Sequence, residues 1–305
     1  MRHRPAPHHH EHRGGHHGDA RLFAIGFFLN LSFVVVEASY GTISHSMALF
    51  ADAGHNFGDV MGLAAAWGAQ RLSRRAPTHR FTYGLGSSSI LAALLNALIL
   101  MIAVGAIAAE ALPRLIAPPP IMAGSVVAVA LLGVAINGMT AFVLSRGARG
   151  ELNVASALAH ALGDAGISFG VAVSGAIVLA TGWLWLDPAV SLVIAALIVA
   201  GTWRLLQRAL AMALLGVPHG IDPAAVRRLL AECAGVDAVH DLHIWPMSTT
   251  ETALTAHLVM PGGHPGDAAL SRLGAELGSR FGIGHVTIQI ETGEAECSLI
   301  PDHVV

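Results

Sequence analysis

The pattern His-x-x-Gly-Asp occurs twice in the chain, at His55–Asp59 and at His160–Asp164. Residues four apart lie on one face of an α-helix, so each copy presents an imidazole and a carboxylate in the same direction. Two such helices facing each other supply two nitrogen and two oxygen ligands, which is the number that tetrahedral zinc prefers. The two carboxylates also balance a divalent charge away from water. The repeat therefore predicts one shared metal site.

Other polar residues are spaced so that they accompany these two motifs. Asp52 precedes Asp59 by seven residues, Asn153 precedes His160 by seven, and Glu37 lies in an earlier apolar run. Ionisable groups inside a membrane are costly and commonly mark an ion path. The alternative is that these groups join helices to one another. Likewise, a His–Asp hydrogen bond within each helix is possible, although it does not explain the duplication.

The elements that carry the motifs are identified by composition. The chain has 305 residues, of which 54% are hydrophobic and 12% charged, with a mean hydropathy of +0.61. An ordinary soluble domain has about 25% charged residues. Leu22 to Leu215 contains 16 of the 37 charges, and the flanks contain the other 21. This distribution predicts a membrane-embedded middle and excludes a disordered protein.

Six apolar runs are long enough to cross a bilayer as helices, because lipid offers no partner for free backbone groups. They are Leu22–Tyr40, Ser46–Ala69, Ser88–Ala109, Ile121–Leu144, Leu152–Ala180 and Leu186–Trp203. The first run is not expected to be a cleaved signal peptide, since a 21-residue lead precedes it and five further spans follow. The second run carries the first metal motif, and the fifth run carries the second motif.

Arginine counting predicts the orientation of these spans. Twelve arginines fall in the N-terminal tail, in the loops after spans two and four, and at the end of span six, whereas the loops on the other side contain only Arg114. This bias predicts that both termini are cytoplasmic. We expect an integral protein of a bacterial inner membrane. The net charge of −3 gives no reason to expect a nucleic-acid partner.

The sequence after Pro218 changes in character. Asp222–Ala234 and Asp267–Phe281 have helical patterns, while Val239–Trp245, Thr252–Met260 and His285–Ile290 alternate as strands. The order αββαβ predicts a small α+β domain with its helices on one face of the sheet. The two cysteines, Cys233 and Cys297, are not in a Cys-x-x-Cys pair, so neither a disulfide framework nor a thiolate zinc finger is indicated.

These patterns predict four regions. We expect a disordered, histidine-rich cytoplasmic tail over residues 1–21, a transmembrane domain over 22–215, a cytoplasmic domain over 216–293 and a C-terminal tail over 294–305. Seven histidines lie between His3 and His17, in a stretch that cannot pack a core. This tail either collects metal loosely or has no required role.

Several of these stretches together resemble the cation diffusion facilitator family, in its zinc-transporting branch. The matching segments are Ser46–His55 with Asp59, His79–Gly86, His160 with Asp164, and His240–Trp245. The resemblance extends over about Leu22 to Glu291. It implies a six-helix membrane domain, a ferredoxin-like cytoplasmic domain, a homodimer and proton-coupled efflux of a divalent metal. It also implies that the two His-x-x-Gly-Asp motifs form the transport site, and that His55 favours zinc over cadmium.

The resemblance further implies a second metal site between strands of the cytoplasmic domain. The matching residues are His240, His257 and Glu291, with Gln289 near the position of another histidine in some relatives. His243 on the first strand either contributes or is exposed. Some relatives bind metal in the loop after span two, but this chain departs from them with Leu85 and with Ser87-Ser88-Ser89, so His79 is expected to be an ordinary loop residue.

The expected function is therefore export of Zn²⁺ from the cytoplasm in exchange for protons, by alternating access of a dimer. Zn²⁺ is expected as substrate and as a regulatory ligand, with no organic cofactor. Imidazole and carboxylate also accept Co²⁺, Ni²⁺, Cd²⁺ and Fe²⁺, so these remain alternative substrates. An intramembrane metalloenzyme is disfavoured, because four protein ligands leave no open coordination position. A metal sensor or storage protein would not need a duplicated site in the membrane.

Overall fold

The structure is a computed structural model that describes residues 16–146, 152–293 and Cys297, with side chains from Phe27 in the first helix and from Val154 in the fifth. Six long helices make up its N-terminal part. They are α1 His16–Ile43, α2 Met47–Ser73, α3 Ser88–Ile116, α4 Ala123–Arg146, α5 Leu152–Thr181 and α6 Leu186–Ala213. Four of them, α3 to α6, are long and apolar enough to cross a membrane, and α1 contains a shorter apolar segment, Phe27–Ile43.

Several helices continue beyond the apolar runs that predict them. The run in α6 ends at Trp203, but the helix continues to Ala213 because the exposed side chains of Arg204 and Arg208 leave the backbone hydrogen bonds intact. Helix α3 passes through Pro113 in its last turn, where the proline carbonyl still accepts from Ala117 N at 3.1 Å. Apolar composition therefore underestimates how far these helices extend.

The membrane domain exposes large apolar side chains to an extent unusual for a water-soluble protein. Ile102 and Leu179 are 73% and 67% exposed. These apolar side chains lie on the surface of the chain, as expected for helices that contact lipid. The chain divides into two compact units: one contains α1, the first half of α2, α4 and α5, and the other contains the rest of α2, α3, α6 and the C-terminal elements.

The C-terminal elements form a small domain around a three-stranded sheet. Their bounds are α7 Pro223–Ala231, β1 Ala238–Pro246, β2 Thr252–Val259, α8 Asp267–Phe281 and β3 Ile283–Glu291. The predicted order αββαβ is confirmed. Strands β1 and β2 are antiparallel and joined by a tight turn, whereas β2 and β3 are parallel and joined through α8. Asp222 caps α7 by accepting from Ala224 N at 3.0 Å.

A β-bulge in β1 determines which side chains share a face of this sheet. His240 pairs with His257 of β2, and His243 pairs with Thr255, so three residues of β1 oppose two of β2. Strict alternation would place His240 and His243 on opposite faces. The bulge brings them back to the same face. Asp241, inside the bulge, has a φ of 48°, which is in the left-handed region.

Candidate metal centres

The two His-x-x-Gly-Asp motifs lie against each other in one compact unit, on α2 and α5. The imidazole Nε2 of His55 lies 3.2 Å from Asp164 Oδ1, and Nε2 of His160 lies 3.3 Å from Asp59 Oδ2. Within each helix the separations are longer, 4.0 Å for His55 to Asp59 and 3.7 Å for His160 to Asp164. All four sequence-predicted residues therefore come together, with the shorter contacts running between the helices.

These separations can be compared with those of a bound metal. Donor atoms of a tetrahedral zinc site lie about 3.3 to 3.8 Å apart when each is about 2.0 to 2.3 Å from the metal. The four measured edges, from 3.2 to 4.0 Å, surround that range. One atom from each of His55, Asp59 and Asp164 falls within 4.8 Å of the other two. These three residues therefore form a ready group of donors, and His160 completes it only after its imidazole moves closer.

Burial differs across the four ligands. The side chain of Asp164 is 11% exposed and that of His55 is 19% exposed, whereas His160 is 55% exposed. The site is therefore sheltered on the Asp164 side and open past His160.

Two further carboxylates lie deeper in the same unit. Glu37 of α1 and Asp52 of α2 have no exposed surface. Asn56 Nδ2 donates to Glu37 Oε2 at 2.8 Å, and Ser168 Oγ donates to Asp52 Oδ2 at 2.8 Å. Both carboxylates thus join neighbouring helices in this conformation, as the helix-joining alternative expects. Asn153 lies in α5, but its side chain is outside the described residues.

Asp187 positions α2, the helix that carries His55 and Asp59, a role that the sequence analysis missed. Its buried carboxylate accepts from the amide of Met47 at 2.6 Å and from the hydroxyl of Ser46. These are groups at the start of α2, where backbone N–H groups have no partner within the helix and favour a negative charge. The signal in the sequence was a lone carboxylate, Asp187, followed by a proline at the start of the sixth apolar run.

A second group of metal-binding side chains lies on the sheet of the C-terminal domain. Two histidines contact the carboxylate of Glu291. His240 Nε2 lies 2.9 Å from its Oε2, and His257 Nδ1 lies 2.9 Å from its Oε1. Cys297 Sγ lies 3.7 Å from His257 Nδ1. One ligand atom from each of these four residues falls within 4.8 Å of the others. The three predicted residues are therefore brought together, and the structure adds a thiol.

The electrostatics of this cluster favour a charged carboxylate. Burial acts to raise the pKa of Glu291, but hydrogen bonds from His240, Cys297 and Gln289 lower that pKa by more, so it lies below its usual value. Gln289 Nε2 donates to Glu291 Oε1 at 3.0 Å and supports the carboxylate. His243 Nε2 contacts Asp241 Oδ1 at 2.8 Å and remains 42% exposed.

The loop between α2 and α3 contacts the C-terminal domain through its serines. Ser87 Oγ donates to the carbonyl of Met247 at 3.1 Å, and the amide of Thr249 donates to Ser89 Oγ at 3.0 Å. These serines, which depart from the family pattern, therefore connect the loop to the β1–β2 turn. His79 lies exposed in the same loop.

Comparison with known proteins agrees with this architecture. The family model for the cation efflux transmembrane domain matches residues 23–212, and that for the cytoplasmic domain of cation efflux proteins matches residues 218–293. The metal cation efflux system protein CzcD of Cupriavidus metallidurans is 36% identical over 95% of this chain and 92% of its own length. The zinc transporter ZitB of Escherichia coli is 35% identical over 93% of this chain and 92% of its own length.

Two further matches are more distant or shorter. A cadmium, cobalt and zinc/H(+)-K(+) antiporter of Bacillus velezensis is 30% identical over 93% of this chain and 92% of its own length. A solved structure of the metal-bound C-terminal domain of a CzcD transporter is 38% identical over 23% of this chain and 99% of that domain, with a TM-score of 0.22. The two family-model matches and the identity over nearly the full length lead to one conclusion: the chain belongs to the cation diffusion facilitator family of metal cation efflux proteins.

Proposed function

We propose that this cation efflux protein exports Zn²⁺ from the cytoplasm in exchange for protons. The observation that carries the proposal is the crossed pairing of His55 with Asp164 and of His160 with Asp59, at 3.2 and 3.3 Å. Two imidazoles and two carboxylates, with His–Asp separations near those of a tetrahedral site, suit a zinc ion as substrate. The relatives named as zinc and cadmium, cobalt and zinc transporters support a divalent metal substrate.

Proton exchange follows from the same four side chains. Imidazole and carboxylate bind metal only when deprotonated, so a proton and Zn²⁺ compete for each ligand. When no metal is bound, a protonated imidazole is neutralised by the carboxylate across from it. Protons arriving from outside would then release the metal outward, and metal binding from the cytoplasm would release those protons inward. The two carboxylates supply charge, and the two imidazoles supply selectivity and the exchanged proton.

The surrounding architecture is proposed in the same terms. All six helices α1 to α6 cross a bacterial inner membrane, with the two termini in the cytoplasm as the arginine distribution predicts. Residues 22–215 form the transport domain, residues 216–293 form a ferredoxin-like regulatory domain and residues 294–305 are a tail. Residues 1–21 precede the transport domain as a second tail, whose last six residues already belong to α1. Residues 1–15 and most of 294–305 are outside the described residues.

The protein is proposed to work as a homodimer by alternating access. The match to the cytoplasmic domain of cation efflux proteins supports this assembly. Metal bound by His240, His257 and Glu291 would stabilise the dimer. It biases the transport cycle only if the metal binds one conformation more tightly than the other.

Transport by purified protein in liposomes tests the proposal. Wild-type vesicles with an imposed pH gradient are expected to move Zn²⁺, and collapse of that gradient should stop accumulation. Asp164→Asn and His55→Ala should each lower the transport rate by at least about tenfold, since losing a group that merely supports a metal ligand costs about 10- to 100-fold. His79→Ala, which alters an exposed loop histidine, is the matched control. Wild-type transport by Asp164→Asn would refute the site, and a rate independent of the pH gradient would refute proton coupling.

A further inference from the structure

We propose that Cys297 is a ligand of a four-coordinate metal site in the C-terminal domain, together with His240, His257 and Glu291, and that Asp241 orients His257 for this role. The inference rests on the proposed metal regulation of this domain and makes it specific. It assigns a sulfur ligand and a positioning residue that neither the sequence pattern nor the matched relatives' names point to.

The donor atoms of the four residues lie close to one another. The two oxygens of Glu291 contact one imidazole each, Oε2 at 2.9 Å from His240 Nε2 and Oε1 at 2.9 Å from His257 Nδ1, and Cys297 Sγ lies 3.7 Å from His257 Nδ1. The two imidazole rings are 5.0 Å apart between centroids and nearly perpendicular, with an interplanar angle of 80°. One donor atom from each of the four residues falls within 4.8 Å of the others, so modest side-chain adjustment brings them to the edge lengths of a tetrahedral zinc site.

The surroundings make this cluster a built site rather than a surface coincidence. The side chains of His240, His257 and Glu291 are 8%, 11% and 15% exposed. They come from three different strands, brought into line by the pairing of His240 with His257 and of His257 with Gln289. Such sheltered donors hold a metal with little loss of side-chain freedom, because packing has already restricted them.

Asp241 acts on the opposite edge of the His257 ring. Its Oδ2 lies 3.3 Å from His257 Nε2, while Nδ1 of the same ring faces Glu291. A carboxylate beside one ring nitrogen keeps the proton there and leaves the lone pair of the other nitrogen free for metal. The left-handed backbone of Asp241 in the bulge of β1 directs its carboxylate to this position.

The donor set predicts the class of metal. A thiolate with two imidazoles and one carboxylate suits Zn²⁺, Cd²⁺ and Co²⁺, and does not suit Mg²⁺, Ca²⁺ or Mn²⁺, which prefer oxygen ligands. Binding requires loss of the Cys297 thiol proton to solvent as sulfur joins the metal. The membrane site contains no sulfur, so the cytoplasmic site is expected to favour Cd²⁺ more strongly than the transport site does.

The full-length protein in detergent allows a direct test, with Co²⁺ as the probe. Co²⁺ bound to a thiolate gives a sulfur-to-metal charge-transfer band in the near ultraviolet, which ligation by the membrane site cannot produce. The chain has two cysteines, and Cys233 is the matched control because it is partly buried like Cys297 and lies outside the cluster. We expect the band in the wild type and in Cys233→Ser, and its complete loss in Cys297→Ser with unchanged circular dichroism.

A second variant tests the role of Asp241. Asp241→Asn keeps all four ligands, so the band should persist at saturation while the Co²⁺ dissociation constant rises about 10- to 100-fold. Persistence of the band in Cys297→Ser, or its absence in the wild type, would overturn the thiolate assignment, and an unchanged dissociation constant in Asp241→Asn would overturn the positioning role. The absorption band is measured without transport, so its failure is distinct from failure of Zn²⁺ export.

Discussion

Each carboxylate of the membrane site lies closer to the histidine of the other helix than to the histidine one turn away on its own. His55 is 3.2 Å from Asp164 but 4.0 Å from Asp59. The crossed arrangement means that the apposition of α2 and α5, and not the local spacing, sets the ligand geometry. A residue that fixes this apposition therefore affects transport without binding metal.

Ser168 is such a residue, because its hydroxyl joins α5 to Asp52 of α2 at 2.8 Å. In Ser168→Ala the buried carboxylate loses a donor, so we expect the free energy of unfolding to fall by about 1–3 kcal/mol. The measurement is thermal unfolding in detergent. Ser174→Ala is the matched control, since that buried hydroxyl of α5 donates to the Val171 carbonyl of its own helix and, within the described part of the chain, to no other helix. Equal loss in both variants would contradict the proposed helix-joining role of Ser168.

For individual residues, the sequence predicts the candidate metal ligands better than the residues that position them. The spacing of His55 and Asp59 is a property of one helix, so it can be inferred without knowing the fold. The contacts of Ser168 and Asp187 join residues 116 and about 140 positions distant in sequence. Such contacts depend on how helices pack, for which a serine or a terminal aspartate carries no periodic signal. Cys297 was also missed, because its contact with His257 depends on the fold and not on local spacing.

Glycine sets the closeness of the helices at the level of elements. At Gly133 of α4 an added methyl group would lie 2.8 Å from the ring of Phe33 in α1 and 2.8 Å from the hydroxyl of Ser168 in α5. Three helices therefore approach at one residue that has no side chain, a common device in membrane bundles. The apolar pattern of α4 predicts a helix but gives no sign of this contact.

Gly133→Ala is expected to force α1 and α5 away from α4. Overpacking of this kind costs about 1–3 kcal/mol, so the midpoint of thermal unfolding in detergent should fall. The displacement of Ser168 should also slow Zn²⁺ transport. Gly138→Ala in the same helix is the control, because nothing lies within 4 Å of the added methyl group. A neutral Gly133→Ala would mean that α4 does not constrain its neighbours.

At the scale of the whole chain, a contact within one of the two compact units links the start of α3 to the β1–β2 turn. Its hydrogen bonds join Ser87 to Met247 and Ser89 to Thr249. The turn lies at the end of β1, the strand that carries His240 and Asp241. If metal binding shifts this strand, the displacement has a short physical route to the loop that leads into α3.

Removing these hydrogen bonds should release the turn. Ser87→Ala/Ser89→Ala is expected to raise the amide exchange rate around Thr249 about fivefold or more, which corresponds to about 1 kcal/mol for the lost hydrogen bonds. Hydrogen exchange with mass spectrometry measures this change. Ser88→Ala is the internal control, because the buried Ser88 hydroxyl makes no hydrogen bond within the described residues. Comparable exchange in the two proteins would show that the serines do not hold the turn.

The carboxylate of Asp187 also constrains how α2 can move. It accepts hydrogen bonds from the amide of Met47 and the hydroxyl of Ser46, where α2 begins. His55 and Asp59 lie two and three turns further along the helix. If α2 tilts about Met47, each of its residues moves by an amount that increases with its distance from Met47 along the helix axis. With such a tilt we expect Asp59 to separate from α5 before His55 does.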